Sequence, residues 1–203
     1  MKKLVIASNN SGKIKEIKRI LRDIDIDVLS LKDIGLNIDV EEDGLTFEEN
    51  AKKKSTEIYK ELIKKGESNF IIMSDDSGLE VEYLNGEPGV FSARYAGEHG
   101  NDKKNNEKLL LNLEGVDYKN RKARFVCQLA IINDKNEYRG IKGTVEGYIL
   151  ENEKGNGGFG YDPLFFYEPL NKSFAELTIE EKNKISHRGN ALQKARKIIE
   201  ELL

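Results

Sequence analysis

Two adjacent carboxylates, Asp75 and Asp76, stand in the stretch SDDSGL, directly after the apolar run Phe70-Ile71-Ile72-Met73. A turn needs at most one aspartate, and two side by side repel unless a positive group lies between or beside them. Carboxylates without histidine or cysteine partners suit a hard, oxygen-seeking cation such as Mg²⁺. The apolar run predicts a buried strand over 70–73, with the acids at its end, where open α/β sheets bind ligands. A second acidic stretch, Glu41-Glu42-Asp43, precedes a predicted helix. Magnesium held by such acids would hold the phosphates of a nucleotide. A solvated acidic turn is the alternative at both places.

Four further stretches carry reactive or recognition chemistry. Ser8-Asn9-Asn10-Ser11-Gly12-Lys13 reads as a loop between a strand over 4–7 and a helix marked by Ile14, Ile17, Ile20, Leu21 and Ile24. Such a loop aims backbone N–H groups outward, the helix dipole adds positive character, Gly12 permits close approach and Lys13 brings a full charge. That outlines a phosphate site, although the spacing is not that of a P-loop; the alternative is an ordinary capped helix. In GGFGYDP, 157–163, Phe159 offers a flat ring on which a base could stack for roughly 1–3 kcal/mol, unless its aromatics fold back onto the core. SHRG, 186–189, places His187 and Arg188 at the head of the last helix as a cluster of donors, with Lys182 on the approach. Arg94 sits among small and apolar residues, which suggests a paired or ligand-facing guanidinium, or a structural ion pair. His99, the other of the two histidines, is read as a structural contact.

These residues must be positioned by a mixed α/β chain. Thr46 with Glu49, and Thr178 with Glu181, form capping boxes that start helices. The first helix turns Ala51, Ile58, Leu62 and Ile63 inward and ends near Gly66. Another helix is predicted over 105–113. Ala123, Phe125, Cys127, Leu129 and Ile131 alternate, predicting a strand with one face on the core. A turn over 133–136 and more strand over 138–150 follow. The last helix carries Ala191, Leu192, Ala195, Ile198, Ile199 and Leu202 on one side. The run of strands late in the chain argues for a mixed sheet.

Bulk properties narrow the class. The 203 residues suffice for one domain with a sizeable core, and a net charge of -3 provides no basic field for a nucleic acid backbone. The single cysteine, Cys127, excludes an internal disulfide and a cysteine-based zinc site, and is expected to face the core. No long apolar segment and no signal peptide are read, so a cytoplasmic location without membrane attachment is expected.

Six stretches stand in register with one known family: SNNSGKIKE, the ENA of residues 49–51, SDDSGLEV, GEPGVFSARYAG, GGFGYDPLF and FAELTIEEKNKISHRGNAL. In that order they resemble the inosine triphosphate pyrophosphatase family, and the SDDSG form resembles its bacterial dITP/XTP branch. Ser8 stands where many relatives carry threonine, which keeps the hydroxyl. The resemblance implies an elongated α/β fold with a long mixed sheet flanked by helices, forming one domain over 1–203 with two lobes and a central nucleotide-binding cleft. It implies Mg²⁺-dependent attack of water on the α-phosphorus of ITP, dITP or XTP, giving the monophosphate and pyrophosphate, and a homodimer. It assigns Ser8, Asn9, Asn10, Ser11, Gly12 and Lys13 to the triphosphate and adds Ser77, Arg94 and Lys182 to the substrate contacts. Phe159, Gly160, Tyr161, Asp162, His187 and Arg188 are assigned to the base. Glu41 and Asp76 would bind the metal, with Asp76 as general base, Glu42 as a possible extra ligand and Asp75 orienting Asp76. Two rivals are a pyrophosphatase for modified pyrimidine triphosphates and a nucleotide sensor or RNA-binding module; SHRG and GGFGYDP argue against the first, the acidic balance against RNA binding.

Overall fold

The computed structural model describes residues 2–203. The chain opens with strand β1 (Lys3–Ala7), buried from Leu4 onward. An uninterrupted apolar run of this kind belongs to a strand covered on both faces. β1 pairs in parallel with β2 (Asp27–Ser30) and with β3 (Phe70–Val81).

Helix α1 (Ser11–Ile20) follows β1. The Asn10 side chain accepts from the Lys13 N–H at 3.0 Å and caps the helix. Ser11, Gly12 and Lys13 therefore form its first turn, where local sequence predicts a loop. Helix α2 (Phe47–Lys64) starts where expected, with Thr46 accepting from the Glu49 N–H. Its capping box is only half formed, because the Glu49 carboxylate accepts from the Leu45 N–H instead. The helix buries Phe47, Asn50, Ala51, Ser55, Ile58 and Leu62. Ile63, expected inward, is 45% exposed, being one position off that stripe.

The largest correction concerns β3. The strand does not end at Met73; it runs through SDDSGL to Val81. Its parallel pairing with β1 stops at the partners Ala7 and Ser74, so β1 ends there and β3 runs on past it. The acids thus lie beyond the carboxyl end of the neighbouring strand, in the middle of their own.

The remaining elements are α3 (Asp102–Asn112), β4 (Lys122–Asn133), β5 (Tyr138–Ile149), β6 (Phe165–Tyr167), β7 (Lys172–Ser173), α4 (Ile179–Ile185) and α5 (His187–Glu201). β4 was expected to bury one face; it is buried on both from Phe125 to Asn133. The sheet order is β2-β1-β3-β4-β5-β6-β7. With β5, β6 and β7 antiparallel in succession, the sheet is mixed, in keeping with the late run of strands. The Thr178–Glu181 capping box is reciprocal, each side chain accepting from the other residue's N–H.

The chain divides into two compact units. The first comprises 1–76, 127–143 and 189–203. Its cores join β1 and β3 to α1 and α5 through Leu4, Ile6, Ile17, Met73, Leu192 and Ile199, and to α2 through Val5, Ile58, Leu62 and Phe70. The second comprises 77–126 and 144–188, and packs Leu79, Leu109, Phe125, Tyr161, Phe165 and Phe174 together.

Candidate active site

In the first unit, successive residues of β3 point to opposite faces, so Asp75 and Asp76 part company. Asp76 is nearly buried and meets α2. Its Oδ2 accepts from Asn50 Nδ2 at 3.0 Å, and Lys54 Nζ lies 3.9 Å from Oδ1. Lys54 Nζ also donates to Glu42 Oε1 at 2.7 Å and to the Asp75 carbonyl at 2.6 Å. Asn50 Oδ1 in turn accepts from the Gly44 N–H at 2.8 Å, which ties the acidic loop to the same point. Burial pushes the Asp76 carboxyl above the usual range, against the lowering pull of Lys54, Lys13 and the Asn50 amide. Asp75 takes the other face, where Lys13 Nζ lies 2.5 Å from Oδ1 and Cys127 Sγ lies 3.3 Å from Oδ2. The two acids therefore do not share one site: a strand separates their carboxylates, and lysines offset both.

The opening loop is held by its own side chains. Ser8 Oγ accepts from the Asn10 N–H at 3.2 Å, and Asn9 Nδ2 donates to the Ile38 carbonyl at 3.3 Å. Asn9, Asn10 and Ser11 are exposed, with Gly12 and Lys13 half-buried behind them. Glu41 is exposed on the loop before α2; Glu42, rather than Glu41, shares Lys54 with Asp76. Among the described residues, no three acidic, histidine or cysteine side chains form a group able to hold a metal.

In the second unit, the glycine-rich loop is organised by Asp162. Its Oδ2 accepts from the Phe159 N–H at 2.9 Å and from Lys182 Nζ at 2.7 Å. Both partners of this ion pair are buried. Lys182 Nζ stands 4.7 Å from the centre of the Phe159 ring, and the Arg188 guanidinium 5.8 Å. Arg188 also donates to Ser77 Oγ at 3.2 Å. Ser77, Phe159, Asp162, Lys182 and Arg188 are thereby brought together. Ser186 and His187 are buried beside them, and the His187 ring stacks on Phe125 at 4.7 Å. Tyr161 turns inward, its hydroxyl donating to the Ser92 carbonyl at 2.8 Å, so it anchors the loop from below. Gly160 is gripped at both ends of its peptide unit, its N–H by Asp102 at 2.7 Å and its carbonyl by Asn106 at 3.3 Å. Arg94 is half-buried and lies 5.1 Å over the Phe91 ring. His99, read as a structural contact, is exposed.

Four residues were given no role by the sequence reading: Asn50, which it placed only within the ENA stretch, and Lys54, Asp102 and Asn106. For the first two a signal existed. They stand four apart on α2, on the same side as Ala51 and Ile58, and a polar pair on an inward stripe needs a buried partner. For Asp102 and Asn106 nothing local pointed to a loop more than fifty residues away.

A family model described as "Ham1 family" matches residues 4–198. The chain belongs to the Ham1 family. A relative from Clostridium perfringens named "dITP/XTP pyrophosphatase" is 60% identical over 194 residues, covering 96% of this chain and 95% of the relative. One of the same name from Bacillus subtilis is 48% identical over 200 residues, with 98% of each chain covered. The solved Ham1 protein of Staphylococcus aureus aligns at a TM-score of 0.84 with 45% identity, covering 98% of this chain and 99% of that one. The resemblance read from the six stretches therefore holds, and the α/β fold with a mixed seven-stranded sheet is that of Ham1 proteins. No described helix is long and apolar enough to cross a membrane.

Proposed function

We propose that this Ham1-family chain hydrolyses altered purine nucleoside triphosphates, ITP, dITP and XTP, to the nucleoside monophosphate and pyrophosphate. The observation that carries this reading is Asp76: a buried carboxylate with a raised pKa, held by Asn50 and flanked by Lys54, in a chain about half identical to pyrophosphatases of that name. The reading includes one two-lobed domain over 1–203, Mg²⁺ dependence, a cytoplasmic location, a homodimer and no nucleic acid partner.

The donor set fits Mg²⁺. The carboxylates of Asp76 and Glu42, with Glu41 beside it in sequence, offer oxygen alone, and magnesium is commonly held by one or two carboxylates together with substrate phosphates. Asp76 and Glu41 would hold it, and Glu42 would join on release from Lys54. When bound, the ion would neutralise phosphate charge. The chain's own residues do the rest. A carboxylate made more basic by burial accepts a proton better than a free one, so Asp76 takes the proton from the attacking water. The water oxygen bonds to the α-phosphorus, and the bridging oxygen leaves with pyrophosphate. Ser8, Asn9, Asn10, Ser11, Gly12 and Lys13 present N–H groups, hydroxyls and an ammonium to the triphosphate at the start of α1. Lys54 favours the ionised form of Asp76, against the upward push of burial, and adds positive charge as the transition state gains negative charge.

For the base, Phe159 with Gly160 offers a stacking face, backed by Lys182 and Arg188. Hypoxanthine and xanthine carry an acceptor, O6, where adenine carries an amine. Donors from His187 and Arg188 would meet O6 and oppose the amine, and each buried donor left unpaired costs about 1–3 kcal/mol. Arg94 and Ser77 complete the substrate contacts. The test is direct: incubate the protein with Mg²⁺ and ITP, XTP or ATP, and measure pyrophosphate and monophosphate. Release from ITP and XTP, little from ATP, and loss on adding EDTA are expected. Orthophosphate as product, a preference for modified pyrimidine triphosphates, or binding without turnover would overturn the reading.

A further inference from the structure

We propose that Cys127 is a positioning residue for Lys13, acting through Asp75. The inference rests on the reading that Lys13 meets the substrate's phosphates. Its basis is a linear set of three side chains within the first unit. The Asp75 side chain has no exposure to solvent, and its two oxygens have different partners. Oδ1 takes the Lys13 ammonium at 2.5 Å; Oδ2 takes the Cys127 thiol at 3.3 Å. A buried carboxylate needs donors on both oxygens, since one left facing apolar atoms is strongly penalised. The thiol supplies one from the core-facing side of β4, where Leu129 and Ile131 alternate with it and Cys127 itself is fully buried.

The opposite end of the set reaches solvent. The Lys13 side chain is 15% exposed and belongs to the first turn of α1, whose N–H groups suit an anion. A lysine stem is long and flexible, so its charge is well placed only when something fixes it. Asp75 holds it through Oδ1, and the thiol holds the same carboxylate through Oδ2, so the orientation of the carboxylate sets where the ammonium stands. Removing the thiol takes away a donor that helps to fix that orientation and so loosens the ammonium's position. The bond is made by a proton donor, so serine should replace cysteine where alanine cannot.

The test uses Cys127→Ala, Cys127→Ser, Lys13→Met and the double variant Cys127→Ala/Lys13→Met in the full chain. KM and kcat for ITP are measured with Mg²⁺, and the Lys13 ammonium is followed by ¹H–¹⁵N NMR. Cys127→Ala should raise KM by about tenfold with kcat changed by less than about twofold, as expected when one charge-assisted hydrogen bond to the phosphates is weakened. Cys127→Ser should stay within about threefold of the parent, and Cys127→Ala should add nothing to KM once Lys13 is already Met. The slowly exchanging ammonium signal should persist in the serine variant and vanish in the alanine one. A Cys127→Ala variant that only melts earlier, with KM and the ammonium signal unchanged, would overturn the proposal. So would equal behaviour of Ala and Ser, or an undiminished KM effect in the Lys13→Met background. If the parent releases no pyrophosphate from ITP, it is the proposed function that fails, and the ammonium signal alone still decides whether Cys127 positions Lys13.

Discussion

Gly158 is a position at which one added methyl group should disturb the loop that presents Phe159. Its φ is +74°, and a Cβ there would sit 2.0 Å from Asp162 Oδ2 and 2.8 Å from Asp162 Cγ. The carboxylate cannot easily yield, because the same oxygen holds the Phe159 N–H and the Lys182 ammonium. Two penalties therefore add in Gly158→Ala. The left-handed backbone strains an L-residue by about 1–2 kcal/mol. Displacing the carboxylate weakens charge-assisted hydrogen bonds worth about 1.5–3 kcal/mol. Gly160→Ala is the internal control, for Gly160 has a φ of +63° and nothing within 4 Å of its added Cβ. It should bear only the backbone strain. At about 2–4 °C per kcal/mol for a chain of this size, Gly160→Ala should lower Tm by about 2–8 °C and Gly158→Ala by about 5–20 °C. Thermal melts of the two variants measure the difference, and ITP kinetics should show a raised KM in Gly158→Ala as Phe159 loses its anchor. Equal melting temperatures would refute the argument that Asp162 is immovable, and an unchanged KM would refute its link to Phe159.

Three other changes probe the same machinery. Asp76→Asn should lower kcat for ITP by about 10²–10⁴-fold, the range for a lost general base; a variant with near-parental kcat would remove Asp76 from that role. The same variant should melt no lower than the parent in EDTA at neutral pH. Burial raises the folded-state pKa, so the ionised form weakens folding as pH rises through the carboxylate range, and asparagine removes that penalty. Lys54→Met should raise the Asp76 pKa further by removing the cation 3.9 Å away, displacing the acid limb of the kcat profile upward; an unmoved limb would count against the coupling. Phe159→Ala should raise KM for ITP with little change in kcat, because ground-state stacking is lost, and unchanged kinetics would take the ring out of base binding.

Local chemistry alone carried much of this protein. The buried runs at 4–7 and 70–73, the Thr46 and Thr178 starts of helices, and the late series of strands were legible because each is decided by neighbours within a few residues. So were the stretches that carry chemistry and the family they belong to, since residue types in register need no coordinates. Distance across the chain decided the rest. Only the pairing of β3 with β1, which stops at Ser74, shows that the acids lie past a neighbour's end and not their own. Only the pleat of β3 sends Asp75 to Lys13 and Cys127 and Asp76 to Asn50 and Lys54. The grip of Asp102 and Asn106 on Gly160, and of Lys182 on Asp162, likewise joins residues with no sequence relation. A carboxylate's partner is chosen by where folding brings a cation or a donor within about 3 Å, and no local pattern encodes that distance.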